Sequence, residues 1–237
     1  MKSKTTLHRF ILVPAFAIAA FAFISAPTVK AELVLDTTGS LSLFDQTFAG
    51  NNTWVAQGFT TSAGLWDLNS VTLVVENVFG SVNFNVAIYG DSVSNTPGSL
   101  IATLSGNPSP AAGAAGNYTY SPVGTLSLTG STSYWIVAST VPEDGGGYYV
   151  YQTSFGSTPV GVWSIPSDGN ASSFDGGINW EKAGEAPPNW AFSINATPAS
   201  APIPEPGTWA AAALLVGGAA FMRWRRGRPA VEAAGQA

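Results

Sequence analysis

The sequence predicts an all-β domain, an antiparallel β-sandwich of the jelly-roll kind, with an N-terminal signal helix before it and a C-terminal transmembrane helix after it. Three observations lead there. From Leu33 to about Thr197, short apolar runs alternate with Gly, Pro, Asn, Asp and Ser, and no stretch keeps a convincing helical period. Charged residues make up only 10% of the chain, aromatics 12%, and Gly (26) and Pro (16) are plentiful, which suits a folded, turn-rich protein rather than a disordered one. Finally, an apolar stretch with basic neighbours stands near each end.

Taken in order, Lys2, Lys4 and Arg9 precede an apolar run from Phe10 to Ala26, the pattern of a signal peptide. Val29-Lys30-Ala31 offers small residues at the positions a signal peptidase reads, so cleavage is expected after Ala31. Ser25-Ala26 is disfavoured because Pro27 follows it, and an uncleaved anchor is the alternative. The domain is expected over 32–195. Trp54 to Phe59 reads as a strand, as does the β-branched Val71 to Val75. Val82 to Tyr89 alternates, which places Val82, Phe84, Val86 and Ile88 on one face. Further strands are expected over Ser99–Leu104, Thr125–Leu128, Tyr134–Ser139, Tyr148–Thr153, Val162–Ile165 and Trp190–Ile194. Gly106–Gly116 and Ser167–Pro188 read as surface loops, and 196–202 as an extended linker.

The region 203–237 opens with Ile203, followed by Pro204, Glu205, Pro206 and Gly207. The two prolines lack a backbone N–H and force extended neighbours, so no helix runs through them. Trp209 to Met222 is uncharged and rich in Ala and Leu. As a helix it would reach roughly 21 Å at 1.5 Å per residue, short of the roughly 30 Å hydrocarbon core. Interfacial Trp209 and Trp224, with snorkelling arginines, make a thin or transient span feasible. A buried or amphipathic surface helix is the alternative, against which stands the lack of a polar face. Arg223, Arg225, Arg226 and Arg228 form a basic stop cluster.

Charge is segregated along the chain. Lys182 is the sole basic residue between Lys30 and Arg223, while 13 of the 14 acidic residues lie within 32–205, a net charge of −12 there. Basic ends around a cation-poor middle fit a domain held outside the membrane. Such a domain repels nucleic acid and anionic lipid, leaving divalent cations or neutral glycans as better partners.

The available chemistry is narrow. There is no cysteine, and the one histidine, His8, falls in the leader, so thiol nucleophiles, His-dependent triads and ordinary zinc sites are not offered. Lys182 stands alone as a solvated lysine. Glu143-Asp144 and Glu181/Glu185 are the carboxylate pairs a glycosidase would need, set among Gly and Pro as loop acids are. Asp168, Asn170 and Asp175 could hold calcium on a flexible loop, but the spacing is not that of an EF-hand and a pair of Asx turns explains it too. No cofactor is otherwise expected. Trp163, Trp180, Trp190, Tyr148, Tyr149 and Tyr151 are rings for sugar stacking or for the core.

In its order of parts, Pro204-Glu205-Pro206, then Trp209–Met222, then the arginines, the tail resembles the PEP-CTERM sorting signal, although Pro229 to Ala237 extend beyond the cluster. The resemblance implies a tail recognised and cleaved by an exosortase, a membrane enzyme, in a Gram-negative host that makes exopolysaccharide. The domain, through Trp54–Phe59, Val86–Gly90, Thr96–Leu104, Leu128–Ala138 and Gly177–Trp180, resembles the β-sandwich modules of choice-of-anchor proteins. That implies a surface role without known chemistry. The expected function is therefore a non-enzymatic, exported cell-surface or matrix protein, transiently membrane-anchored by its tail and associated with exopolysaccharide. A glycan-binding module and a carboxylate-dependent glycan hydrolase are the rivals.

Overall fold

A computed structural model describes residues 30–80, 83–140, 146–154, 158–184 and 188–199, together with Leu214, Leu215, Gly218, Ala219, Met222 and Arg223 of the tail. The strands are β1 (Glu32–Asp36), β2 (Leu41–Gly50), β3 (Trp54–Thr60), β4 (Leu65–Phe79), β5 (Phe84–Asp91), β6 (Pro97–Ser105) and β7 (Gly116–Pro122). They continue with β8 (Leu126–Thr129), β9 (Ser133–Thr140), β10 (Gly147–Thr153), β11 (Val160–Gly161), β12 (Asn170–Ser173), β13 (Glu181–Lys182) and β14 (Phe192–Pro198). Among the described residues every strand pair is antiparallel.

The sheet runs β11-β1-β14-β4-β7-β6-β5-β9-β3-β12-β13. β4, 15 residues long, takes β8 and then β7 along one edge, β14 and then β10 along the other, and β10 carries β2. The sheet curls at the short β6–β7 pairing, Leu104 with Pro122 and Ser105 with Ser121. Its β4 half and its β9 half therefore face each other across one core.

That core is stitched by aromatic contacts between the halves. Phe59 of β3 stacks on Trp163 at 5.5 Å between ring centroids, and Trp163 meets Trp66 of β4 edge-on at 5.7 Å. Phe84 of β5 packs on Tyr148 of β10 at 4.9 Å. Such pairs contribute about 0.5–1.5 kcal/mol each beyond the area they bury. The turn between β2 and β3 is local chemistry: Asn51 and Asn52 hold φ of +46° and +67°, and Gly50 and Thr53 exchange backbone hydrogen bonds of 3.0 and 2.7 Å. Two left-handed residues in a two-residue loop match the right-handed twist of the strands they join.

Three expectations shift. Val162–Ile165, read from sequence as a strand, is a bend with a single bridge from Ser164 to Thr60, and the nearby strand is β11 at Val160–Gly161. Ser167–Pro188, read from sequence as a loop, contains β12 and β13, with Asn170, Ala171 and Ser173 buried. The closing strand runs to Pro198, beyond the expected domain end, because Ala196 is buried against the core and Pro198 still pairs with Trp66. Phe84, Val86 and Ile88 do share the inward face, while Val82 lies outside the described residues. The signal segment does as well, and of Trp209–Met222 only Leu214, Leu215, Gly218, Ala219 and Met222 are described. Among the described residues no helix is long and apolar enough to cross a membrane.

Candidate functional site

The outer face of the β9 half is built by strand alternation. Odd positions of β3 and even positions of β9 turn into the core, which leaves Ala56 and Gly58 beside Val137 and Trp135 on the other side. β5 adds Tyr89, opposite Trp135, and Asp91 at its end. This face is not bare: Ala56, Trp135, Val137 and Ala171 are buried, with Trp54, Tyr89 and Trp180 packed around them. Gly177, at φ +86°, lies so close to Trp54 that a Cβ there would stand 2.5 Å from the indole. Glycine at 177 thus lets the loop after β12 lie flat on the ring.

Beside this cluster lies a well of about 220 Å³ lined by Gly58, Thr60, Asp91, Asn95, Ser133, Tyr134, Trp135, Ser164, Pro166 and Asp168. Trp135 donates its indole N–H to Asp91 Oδ1 at 2.8 Å. Asp168 Oδ2 accepts from Lys182 Nζ at 2.6 Å, and that contact above all holds the Asp168 carboxyl below its ordinary pKa. Thr60 and Ser133 share a hydroxyl–hydroxyl bond of 3.1 Å. Asn95 sits at φ +52° in the turn closed by Ser92 and Thr96, a conformation asparagine tolerates.

The wall at 166–169 is anchored from inside the core. Gln57, fully buried, donates to Gly169 O at 2.9 Å and Gly58 O at 3.1 Å, and its Oε1 accepts from Trp190 N at 2.8 Å. A buried amide satisfied on both its ends locks three segments together, since any one left unpaired would cost its full desolvation. Gly58 N–H also donates to Gly169 O, at 2.6 Å.

The calcium candidates have separate protein partners. Asp168 holds Lys182, Asn170 donates its amide to Pro188 O at 3.1 Å, and Asp175 closes its own turn. Asp175 Oδ1 accepts from Ser173 Oγ, Ile178 N and Asn179 N at 2.7, 3.1 and 2.9 Å. Those bonds, led by the Asn179 N–H, lower its pKa to about 2. Among the described residues no three acidic side chains gather as a metal cage would require.

Trp163, Trp190 and Tyr148 are core residues, and Trp180 belongs to the outer cluster of the β9 half. Tyr149 and Tyr151 turn to the outer face of the β4 half, where Tyr149 meets Phe48 edge-on. Glu181 is exposed on β13, while Glu143, Asp144 and Glu185 lie outside the described residues. Pro204, Glu205, Pro206, Gly207, Arg225, Arg226 and Arg228 lie outside them too; Arg223 is helical and exposed, and Ala31 is exposed immediately before β1. Sequence reasoning missed Asp91, Asn95, Trp135 and Gln57 as site residues. The one available signal was Gly58 inside an apolar strand, since an interior glycine marks a close approach of another group. No family model matches the chain, and no curated protein matches it.

Proposed function

We propose that this chain is an exported, non-enzymatic surface protein whose domain is a jelly-roll-like sandwich of the choice-of-anchor type. The leader 1–31 directs it out, and the tail 203–237 is a PEP-CTERM-type signal that an exosortase reads at Pro204-Glu205-Pro206 and cleaves. The arginines hold the tail in the membrane until then, and the freed domain joins the exopolysaccharide of the surface or matrix. The observation that supports this reading most strongly is the segregation of charge: one basic residue against 13 acidic ones across 32–205, with basic clusters at both ends. Leu214, Leu215 and Met222, among the few described residues of the tail, are exposed, which supports this reading.

The test is fractionation of intact cells with mass spectrometry of the mature C-terminus. Loss of Arg223 to Ala237 from the exported protein is expected, and replacing Pro204 and Pro206 by alanine should leave the full tail in the membrane fraction. A mature protein that keeps its arginines would overturn processing while leaving export in place.

A further inference from the structure

We propose that the well beside Trp135 binds a neutral sugar, accepting one pyranose ring of a glycan. Its volume of about 220 Å³ lies below the roughly 300–1,000 Å³ typical of drug-sized sites, which suits one ring rather than an extended chain. A ring edged with hydroxyls needs acceptors and donors side by side over a small apolar floor. The carboxylates of Asp91 and Asp168 accept, the Asn95 amide does both, and the hydroxyls of Thr60, Ser133 and Ser164 can turn either way. Gly58, Pro166 and the edge of Trp135 make the floor.

These groups are held before any ligand arrives. Asp91 gives one oxygen to Trp135, and a carboxylate retains acceptor sites after a single bond. Asp168 is pinned by Lys182, and the backbone next to it by Gln57 through Gly169. Holding the rim in place removes ordering cost from binding. The charge selects too: two carboxylates face one ammonium, already engaged, so an acidic sugar is repelled. A Cβ on Gly58 would stand 3.4 Å from Trp135 Cη2 and Cζ3 and from Gly169 Cα, in ordinary van der Waals contact, so any larger side chain there would press on the floor of the well.

Saturation-transfer NMR on the full-length chain, in a non-glycosidic detergent, tests this with the methyl glycosides of glucose, galactose and mannose. Glucuronate and calcium chloride are the counter-probes. Transfer to the ring protons of at least one neutral glycoside is expected. Gly58→Val should fill the well and weaken binding at least about tenfold, and Asn95→Gly, which suits φ +52° while removing the amide, should do likewise. Unchanged thermal midpoints in these variants separate a blocked well from a lost fold. No transfer from any neutral glycoside, equal binding by both variants, preference for glucuronate, or calcium displacing the sugar would each overturn the proposal. The measurement is blind to export and tail processing, so it and the sorting reading can fail separately.

Discussion

The outer faces of the two halves differ in how they meet water. In the β4 half, β14 buries every other residue, and beside a buried patch at Val74, Tyr151 and Ala191 outward positions carry short hydroxyls and amides. Thr72 bonds Thr119 at 2.9 Å, Ser127 bonds Asp67 at 2.6 Å and Thr197 bonds Asn69 at 2.7 Å, all of them exposed. In the β9 half, five consecutive residues of both β3 and β9 are buried, so these strands are covered on both sides. Antiparallel sheets commonly leave one face wet, and a covered second face needs added chain. Here the segment from Ser164 to Trp180 and the turn at Asp91–Thr96 supply it, and the polar well opens where they fail to meet. The β9 half has exchanged a solvent face for a shaped one.

The largest effect is expected at Trp135, which is 2% exposed on a face that would ordinarily be wet. Trp135→Ala should cost about 3–5 kcal/mol in chemical denaturation, as for a core residue, whereas a loss below about 1 kcal/mol would mean that the covering segment is not packed. Gln57→Leu should cost about 2–3 kcal/mol, because Trp190 N–H loses its partner inside the core and Gly169 C=O keeps only the Gly58 N–H. Denaturant midpoints at constant slope would check it.

Acid and alkali should then act on different halves. Tyr151 donates to Glu76 Oε2 at 2.5 Å; this bond, with burial, raises its pKa from 10.0 to about 12. The folded chain keeps a proton that the unfolded chain releases, so this stabilisation is whole below pH 10 and lost as pH rises through about 12. Asp175 runs the other way. Its pKa is lowered from 3.8 to about 2, so its contribution is whole above pH 3.8 and lost as pH falls through about 2. Amide NMR should show Ile178 and Asn179 shifting only as pH falls towards about 2, and Tyr151 only as it rises towards about 12; transitions at pH 3.8 and 10.0 instead would contradict the assignment. The smallest effect is expected at Thr72→Val, within about 0.5 kcal/mol, because water replaces the exposed Thr119 bond.

How much of this was legible depends on distance along the chain. Phe84, Val86 and Ile88 announce their face because side chains alternate locally. The run Tyr134-Trp135-Ile136-Val137 announces a strand, and its lack of alternation is the mark of burial on both faces. β12 and β13 stayed hidden because Asn170–Ser173 and Glu181–Lys182 are short and polar, and become strands only as β12 adds to β3 and β13 to β12. The well was equally hidden. Trp135 and Asp91 are 44 residues apart, and Gln57 and Gly169 are 112 apart.

Local pattern along the chain set the antiparallel all-β class, the inward faces of regular strands such as β5 and the separation of charge between ends and middle. Each is a property of neighbouring residues, set by period and turn chemistry. The tertiary structure alone decided which outer face is covered, that Gln57 clamps Gly169 to Trp190, and that Asp91, Asn95 and Asp168 ring one well. Those follow from register between strands remote in sequence, where packing rather than local preference selects the partner.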